Sequence, residues 1–475
     1  MQLQELSGAL AERLGAPVDL RGRAVGVEVT AVTHSSTGVG PGAVFCCVPG
    51  QIHDGHDFAP AAVAAGAVAL LCERPLDLGV PELVVPSVRA AMGPLAAIVA
   101  GDPSGQLAIV GVTGTNGKTT TTHLLAAVLD HAGMRCGLIG TLSGARTTPE
   151  APELQTQLAA FVADGVQAVA MEVSSHALDL HRVDGTRFRV AVFTNLSRDH
   201  LDHHGDMAAY FQAKARLFEP QLADEAVVGI DDPRGRLLLD AATIPTTGFG
   251  LDDAIDLELA ATGSAFTWRG HRVHLALPGR FNVLNALAAA SAAARLGVEP
   301  AIIAEGLSRA GAIAGRFERI DEGQPFLAAV DYAHTPDGLE QLLAAGRELA
   351  DGGRLIVVFG AGGDRDPSKR PEMGEVVSRL ADVAVLTTDN PRHEDPAAIM
   401  SSVEQGMNQP EELIVEPDRR RAINLAVQAA RPGDVLLVAG KGHELTQTVG
   451  DVVLPFDDRE VLAEALRLRS EGSGW

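Results

Sequence analysis

Short apolar runs separated by glycine and proline turns organise the N-terminal part of the chain. The runs that predict strands are Val25–Val32, Ala43–Val48, Ala67–Leu71 and Leu83–Val85. An alanine-rich stretch, Ala59–Gly66, lies between two of them. This alternation predicts a small α/β domain over residues 1–98.

The central part, residues 99–311, begins with a buried strand, a glycine-rich turn and an amphipathic helix. The strand is Leu107–Val112, and the helix ends at Gly133. Further strands are predicted at Ala168–Val173, Val190–Thr194 and Ala226–Ile230, with helical segments between them. This order predicts a doubly wound, mostly parallel sheet with helices on both faces.

A third alternation starts near Gly311, after a segment that alternates like a β-hairpin, Ala254–Leu277, and an alanine-rich helix, Asn282–Leu296. Its predicted strands are Ala328–Tyr332, Leu355–Phe359, Ala384–Thr388 and Val435–Ala439. Helices between these strands predict a Rossmann-like domain over residues 312–475. The predicted fold class is therefore α/β with three domains.

The amino-acid composition argues against some classes of function. The 475 residues include 61 acidic and 38 basic ones, a net charge of −23, and only 4% aromatic residues. Binding to nucleic acid or to an anionic membrane surface is therefore not expected. No apolar stretch reaches the ~20 residues that span a bilayer, and the first residues lack a basic segment followed by an apolar one. We expect a cytoplasmic protein that does not insert into the membrane and that is a monomer.

The strongest chemical signal is the segment Gly111–Thr120. Its glycines allow backbone N–H groups to turn toward an anion, and the following helix adds partial positive charge. Lys118 can reach terminal phosphates, and the Thr119 hydroxyl can ligate Mg²⁺. The spacing departs from the common G-x-x-x-x-G-K-[ST] loop because Val112 stands five residues before Gly117. We expect a related but distinct phosphate loop.

Polar residues follow two further predicted strands, where the carboxyl ends of parallel strands face a ligand crevice. Glu172 is a candidate Mg²⁺ ligand because Mg²⁺ prefers oxygen donors, and His200 is the histidine that we favour as functional. The spacing of His200, His203 and His204 leaves a zinc site as the less favoured alternative, because no cysteine accompanies them.

Lysine is rare in this chain: the 38 basic residues include only Lys118, Lys214, Lys369 and Lys441. A lysine kept against this arginine bias suggests a task for a compact charge or a nucleophilic amine. Lys214 lies in a predicted helix, and its amine can react with CO₂ to form a carbamate, an additional anionic metal ligand. A plain salt bridge is the alternative.

Several loops of the third part carry Gly, Asp, Arg and His beside predicted strand ends or in a linker, as ligand contacts do. They are Gly315–Ile320, Asp331–Pro336, Phe359–Asp366, Ser368–Pro371, Asp389–Arg392 and Gly440–Glu444. Each alone is also explained as a turn, but together they exceed what turns require.

With these motifs, essentially the whole chain resembles the Mur ligases, and more closely the UDP-N-acetylmuramoyl-tripeptide synthetases, which attach the third residue of the peptidoglycan stem peptide. The most specific segments are Thr113–Thr119, Glu172–Leu178, Asn195–Asp202, the Lys214 helix, Asp331–Asp337, Gly362–Asp366 with Lys369–Pro371, Asp389–Arg392 and Gly440–Glu444. The resemblance implies an N-terminal uridine-nucleotide domain, a central ATPase and a C-terminal Rossmann-like domain. It also implies an amide ligase that uses ATP and Mg²⁺ and forms an acyl phosphate.

The resemblance assigns roles to individual residues. For ATP it implies contacts from Gly114, Thr115, Asn116, Gly117, Lys118, Thr119, Thr120, Asn285, Arg316 and Asp331. The implied metal ligands are Thr119, Glu172, His200 and carbamylated Lys214, and the implied catalytic residues are Lys118, His200 and Lys214. For UDP-N-acetylmuramoyl-L-alanyl-D-glutamate it implies Ser36, Thr147, Thr148, Ser174 and Arg182.

The incoming amino acid is expected to be diaminopimelate, because Asp389-Asn-Pro-Arg392 resembles the diaminopimelate version of this loop. Arg392, assisted by Arg365, offers a planar fork to the distal carboxylate. The implied contacts of the distal amino acid head also include Asp389, Asn390, Pro391, Gly440 and Glu444. The meso isomer is the expected one, although the LL isomer presents the same distal carboxylate.

One segment departs from the family, since Ser35-Ser36-Thr37 stands where relatives usually show Asp-Ser-Arg. The details of uridine recognition therefore stay open. Two alternatives to the main interpretation remain. One is another amide ligase of the superfamily, such as a folylpolyglutamate synthase or the ligase that adds the terminal dipeptide. The other is a binding or regulatory protein that keeps the nucleotide fold without catalysis.

Overall fold

The computed structural model describes residues 1–50, 53–350, 352–408 and 412–473. Its N-terminal elements are α1 (Leu3–Leu14), β1 (Asp19–Arg21), β2 (Ala31–Thr33), β3 (Ala43–Cys46), α2 (Ala59–Ala64), β4 (Ala69–Cys72), β5 (Glu82–Val84) and α3 (Val88–Val99). The strands form a sheet in the order β1-β5-β4-β3-β2, in which β1 runs antiparallel to β5 and the other pairs are parallel. The expected boundary between residues 98 and 99 falls in the last turn of α3.

The central elements surround a second sheet. They are β6 (Ala108–Thr113), α4 (Lys118–His131), β7 (Cys136–Ile139), α5 (Ala151–Ala163), β8 (Ala168–Glu172), α6 (Ser175–Asp179), β9 (Phe188–Phe193), α7 (Leu201–His204), α8 (Met207–Ala215), β10 (Ala223–Gly229), α9 (Pro233–Ala241), β11 (Thr246–Phe249), β12 (Ile255–Ala260), β13 (Gly263–Trp268), β14 (His271–Leu275), α10 (Arg280–Arg295) and α11 (Pro300–Arg309). The order β11-β10-β9-β6-β8-β7 is parallel throughout. Where a hairpin was expected, β12, β13 and β14 form a three-stranded antiparallel sheet.

The C-terminal elements build a third sheet. They are β15 (Glu318–Arg319), β16 (Leu327–Asp331), α12 (Pro336–Leu349), β17 (Leu355–Phe359), α13 (Lys369–Leu380), β18 (Val383–Leu386), α14 (Pro396–Glu404), β19 (Glu412–Val415), α15 (Arg419–Ala429), β20 (Val435–Ala439), β21 (Thr446–Val449), β22 (Val452–Pro455) and α16 (Asp458–Ser473). The strand order is β15-β16-β20-β17-β18-β19, with β15 antiparallel to β16, and β21 pairs with β22 as a hairpin.

Helices cover both faces of the two larger sheets, as the continuous apolar strands predict. On one face of the central sheet, Val110 and Val112 pack with α4, α10 and α11, and on the other Ile109 and Met171 pack with α5 and α8. The C-terminal sheet is enclosed in the same way by α12–α14 on one face and α15 and α16 on the other. The predicted α/β class is confirmed.

Within the described part of the chain, no helix is both long and apolar enough to cross a bilayer.

The parallel strand order determines where polar side chains can meet, because it brings the carboxyl ends of β6, β8 and β9 to one edge of the central sheet. The carboxyl ends of β16, β18 and β20 likewise share one edge of the C-terminal sheet.

Candidate active site

The phosphate loop joins β6 to α4. Gly117 has φ 86°, and a Cβ added there would lie 2.2 Å from Oδ1 of Asn285, so the loop requires glycine at this position. Lys118 Nζ donates hydrogen bonds to the backbone carbonyls of Gly114, at 2.9 Å, and Thr115, at 2.8 Å. Burial lowers the pKa of Lys118 below its ordinary value. The ammonium group therefore lies folded over its own loop.

Glu172 ends β8 with its side chain buried. Its carboxylate accepts hydrogen bonds from Thr119 Oγ1, at 3.0 Å, and from the backbone N–H of Thr141, at 2.8 Å. Gly140 leaves room for it, since a Cβ there would lie 2.3 Å from Oε1 of Glu172. A carboxylate and a hydroxyl beside a phosphate loop are the donors that Mg²⁺ prefers, so these residues fit the expected ion.

Lys214 points from α8 toward the same loop and is 1% exposed. Its Nζ donates to the backbone carbonyl of Gly114 at 2.8 Å and lies 4.5 Å from the centre of the Tyr210 ring. Burial, together with the charge of Lys118, lowers the pKa of Lys214 well below its ordinary value. Both lysines contact the carbonyl of Gly114, so two separate motifs meet at one atom. A lowered pKa favours the uncharged, nucleophilic form of the Lys214 amine.

His200 precedes α7 and has a left-handed backbone, with φ 55°. Its backbone N–H donates to Oδ1 of Asp199 at 3.0 Å, and the same oxygen lies 3.7 Å from Nζ of Lys369 in α13. Burial lowers the pKa of His200, which leaves a neutral ring whose nitrogen lone pair is available to a metal.

Arg316 connects the C-terminal part to the phosphate loop. Its Nη2 donates to Thr119 Oγ1 at 2.9 Å, and its guanidinium lies 4.7 Å from the centre of the Tyr332 ring. Asp331, at the end of β16, accepts hydrogen bonds from the backbone N–H groups of Phe317 and Ala333, at 2.7 and 2.8 Å, and burial raises its pKa. The carboxylate therefore fixes the backbone that carries Arg316.

The loops after β18 and β20 meet around Lys441. Its Nζ donates to Oε2 of Glu444 at 3.0 Å and lies 3.4 Å from Oδ1 of Asn390. Asn390 Nδ2 also donates to Oε2 of Glu444, at 2.8 Å. Arg392 has φ 51° and donates from Nη1 to the carbonyl of Gly363 at 2.6 Å. Burial raises the pKa of Asp389.

Most of the sequence-predicted site residues line one cavity of about 360 Å³. They are Thr115, Asn116, Gly117, Lys118, Thr119, Thr120, Thr147, Glu172, Ser174, His200, Lys214, Asn285, Arg316, Asp331, Arg365, Asp389, Asn390, Arg392, Gly440 and Glu444. Gly114 and Pro391 belong to the same loops without lining it.

The residues predicted for the muramoyl dipeptide divide into two groups. Ser174 N–H donates to Oγ1 of Thr148 at 3.1 Å, and Arg182 Nη1 donates to the carbonyl of Thr148 at 3.3 Å, so these three stand together beside Thr147. Ser36 lies apart, in the loop after β2, and does not line the cavity.

Three residues at the cavity had been given no site role from the sequence. Asp199, Lys369 and Lys441 line it or lie against it, each fixed by a charged partner. The rarity of lysine had singled out Lys369 and Lys441, and both stand in loops that were expected to contact ligand. A second cavity of about 460 Å³ was also missed; its wall includes Asn116, Gly117, Phe249, Leu251, Phe281 and Asn285.

The zinc alternative for His200, His203 and His204 takes another form in the structure. His203 Nε2 lies 2.9 Å from Oδ2 of Asp179, and these two residues group with His204 and without His200. His200 instead lines the central cavity. Its ring lies 4.7 Å from that of His176, which also contacts His203 and His204, so His200 borders the other two histidines without sharing their group of ligand atoms.

Comparisons with known proteins agree with this geometry. The Mur ligase family catalytic domain model matches residues 28–100, the Mur ligase middle domain 112–293, and the Mur ligase glutamate ligase domain 315–442. Two curated relatives, the UDP-N-acetylmuramoyl-L-alanyl-D-glutamate--2,6-diaminopimelate ligases of Syntrophomonas wolfei and Streptomyces coelicolor, are each 45% identical to this chain. Both alignments cover 93% of this chain, with 95% and 93% of the relatives.

A solved structure of an enzyme with the same name has a TM-score of 0.69 to this fold and is 33% identical, covering 97% of this chain and 99% of its own. The family models match most of each of the three largest sheets, and the relatives align over nearly the whole length. The chain therefore belongs to the Mur ligase family.

Proposed function

We propose that this chain is an ATP-dependent amide ligase that adds 2,6-diaminopimelate to UDP-N-acetylmuramoyl-L-alanyl-D-glutamate in peptidoglycan precursor synthesis. The observation that carries the proposal is that the phosphate loop, Lys214 and the Asp389–Arg392 loop converge on one cavity. The enzyme names of the relatives at 45% identity support the same substrates.

ATP is proposed to bind across the two neighbouring cavities. Its phosphates would lie on the loop, within reach of Lys118 and Arg316, which both contact loop atoms. The second cavity shares Asn116, Gly117 and Asn285 with the first and has an apolar wall. An apolar slot that opens onto a phosphate loop suits a purine ring.

Mg²⁺ is proposed to be held by Thr119, Glu172, His200 and the carbamate of Lys214. When bound, the ion would neutralise negative charge on the phosphates of ATP. The carbamate forms when the neutral Lys214 amine attacks CO₂, which makes an N–C bond and releases a proton. Burial of this amine supports the step, because it lowers the pKa of Lys214 and so favours the unprotonated form. Only the unprotonated amine has a free electron pair with which to attack CO₂.

The proposed reaction has two steps. An oxygen of the free substrate carboxylate attacks the γ-phosphorus of ATP, and the bond from that phosphorus to the ADP oxygen breaks. The amine of diaminopimelate then attacks the acyl carbon; the bond to phosphate breaks, and the nitrogen loses a proton. Lys118 and the loop N–H groups stabilise the transferring phosphoryl group. Arg316 covers the loop from the C-terminal side and protects the acyl phosphate from water.

Selection of diaminopimelate is proposed to rest on Arg392 and Arg365 for the distal carboxylate. The distal ammonium group would donate hydrogen bonds to the side chains of Asn390 and Glu444 and to the carbonyl of Gly440. Lys441 holds Asn390 and Glu444 in place, since it contacts both side chains. On the other side, Thr147, Thr148, Ser174 and Arg182 would contact the muramoyl dipeptide, and Ser36 the uridine nucleotide.

The decisive experiment measures amino-acid-dependent ADP formation with UDP-N-acetylmuramoyl-L-alanyl-D-glutamate and a panel of diamino acids. Diaminopimelate is expected to support turnover, with the meso isomer preferred, and lysine is not. Equal turnover of lysine would contradict the substrate assignment. Absence of phosphate release with every amino acid would favour a binding protein instead.

A further inference from the structure

A cluster of imidazole rings lies at the ends of α6 and α7, next to the proposed catalytic residues. The ring centres of His176 and His203 are 4.2 Å apart, those of His203 and His204 4.7 Å, and those of His176 and His204 5.5 Å. Asp179 Oδ2 lies 2.9 Å from Nε2 of His203. One ligand atom each from Asp179, His203 and His204 falls within 4.8 Å of the other two.

We propose that Asp179, His203 and His204 form a binding site for a divalent transition-metal ion such as Zn²⁺, separate from the proposed Mg²⁺ site. Two imidazole nitrogens and one carboxylate oxygen form a ligand set typical of Zn²⁺, whereas Mg²⁺ prefers oxygen. Metal–ligand bonds of about 2.0–2.1 Å place the ligands of a tetrahedral ion about 3.3 Å apart. The ligand atoms of the three residues, which lie between 2.9 and 4.8 Å apart, can adjust to this spacing, because the Asp179 side chain is 49% exposed and can rotate.

The surroundings of the cluster suit a metal ion. Ser175 Oγ lies 2.9 Å from Nε2 of His204 and orients that ring, as outer partners of metal ligands do. A cavity of about 660 Å³ opens beside the cluster, lined by Asp179, His203, His204 and Arg216 among others. It gives an ion a path to the site and leaves room for water at the remaining coordination positions.

The proposed site also connects to the catalytic cavity. Helix α6 follows Ser174 and ends at Asp179, and α7 follows His200 and ends at His204. Ser174 and His200 both line the central cavity. An ion bound at the C-terminal ends of α6 and α7 would therefore link these two short helices. Their N-terminal ends adjoin Ser174 and His200, the proposed substrate and Mg²⁺ contacts. The proposal does not depend on the identity of the ligase substrates.

The test is equilibrium dialysis of the full-length protein against Zn²⁺ in excess Mg²⁺, followed by metal analysis. The unmodified protein should retain one Zn²⁺ per chain. His203→Ala and Asp179→Asn should each weaken Zn²⁺ binding by about tenfold or more, because each removes one of three protein ligands. His131→Ala is the matched control, since His131 pairs with Glu305 at 3.2 Å but belongs to no group of three ligands among the described residues.

Anomalous diffraction from crystals of the unmodified protein soaked in Zn²⁺ gives an answer that does not depend on the variants. It should place the ion between Asp179, His203 and His204. Glu172→Gln, which alters the proposed Mg²⁺ site, should retain Zn²⁺ normally. The proposal is overturned if the unmodified protein retains no Zn²⁺ in excess Mg²⁺, if His203→Ala binds it unchanged, or if only Glu172→Gln loses it.

Discussion

Lys214 is held in surroundings that favour an uncharged amine, because its side chain is buried and Lys118 lies near it. If its carbamate holds the metal, Lys214→Ala should lower kcat by about 100-fold or more, the size of effect seen when one transition-state contact is removed. Lys214→Arg should be equally inactive, since guanidinium forms no comparable carbamate. ADP formation measures both effects.

Chemical rescue distinguishes a missing ligand from a damaged fold. Short-chain carboxylates at high concentration should partly restore Lys214→Ala by supplying an anionic oxygen, and should not restore Lys214→Arg, whose side chain fills the space. Arg189→Lys is the matched control, because it exchanges one cation for the other in an exposed pair with Asp224 away from the cavity. Full activity of Lys214→Arg would show that no carbamate is required.

Arg392 is the residue proposed to bind the distal carboxylate and so to select diaminopimelate. Loss of a buried arginine–carboxylate interaction costs on the order of 2–5 kcal/mol, so Arg392→Ala should raise the KM for diaminopimelate by more than about tenfold. The KM for ATP should change little, since Lys118 and Arg316 are the cations on the phosphate loop. Steady-state kinetics with each substrate varied in turn measures both constants. An unchanged KM for diaminopimelate would remove Arg392 from the amino acid site.

The sequence alone identified the side chains whose chemistry is distinctive. Lys214 stood out because lysine is rare, and the phosphate loop because its glycines are closely spaced. Lys441 and Asp199 were missed as site residues because their importance lies in burial and pairing, which only the folded chain establishes. Ser36 lies outside the central cavity, and its expected contact with the uridine nucleotide stays a prediction.

Helices α15 and α16 are joined at their first residues by a buried ion pair. Arg419 Nη2 and Asp458 Oδ2 are 2.6 Å apart, and both side chains are fully buried. Arg419 also donates to the carbonyls of Thr388, at 3.2 Å, and Ala439, at 2.9 Å, which directly precede the two amino acid loops. The pair therefore links the packing of two helices to the position of those loops.

Arg419→Ala should lower the free energy of unfolding by about 3–5 kcal/mol, because it leaves Asp458 buried without its partner. It should also raise the KM for diaminopimelate. Urea unfolding and steady-state kinetics measure the two effects. Arg420→Ala on the same helix is the control, since its pair with Glu464 is about half exposed and should contribute less than about 1 kcal/mol. Equal losses in both variants would contradict the assigned role of Arg419.

The bounds of the buried strands were predicted closely from the sequence, and those of the edge strands were not. β17 and β20 have the predicted bounds, and β6 is shifted by one residue, because continuous apolar runs mark strands covered on both faces. β1 and β19 were missed because they are short and partly exposed, so neighbouring strands rather than their own residues determine their pairing. The segment Ala254–Leu277 was expected to form a two-stranded hairpin and forms three strands. Here too the pairing of short strands is determined by their neighbours.

The cavity depends on contacts between distant parts of the chain. Asn116 Nδ2 donates to Asp337 Oδ2 at 2.7 Å, and Arg198 Nη2 donates to Ser368 Oγ at 2.6 Å. Sequence predicted three domains and the motifs within each. It did not predict which side chains meet between them, because such pairs arise from domain docking and leave no local pattern.

The nucleotide-sugar and ATP sites should be separable. Among the described residues, nothing before Thr115 lines the central cavity, whereas Ser36 belongs to the N-terminal sheet region. Lys118→Ala should therefore reduce ligation by on the order of 100-fold or more, because a cation on the transferring phosphoryl group is lost. Its Kd for UDP-N-acetylmuramoyl-L-alanyl-D-glutamate, measured by calorimetry, should stay within about threefold of the unmodified value, a difference below about 0.7 kcal/mol.

Ser36→Ala provides the reciprocal measurement, since it should weaken binding of the uridine nucleotide while the KM for ATP stays unchanged. Together the two variants test whether the N-terminal part binds substrate independently of the phosphate loop. If Lys118→Ala lost both ligation and nucleotide-sugar binding while remaining folded, the uridine nucleotide would have to contact the loop itself. The assignment of residues 1–98 as its separate binding domain would then be wrong.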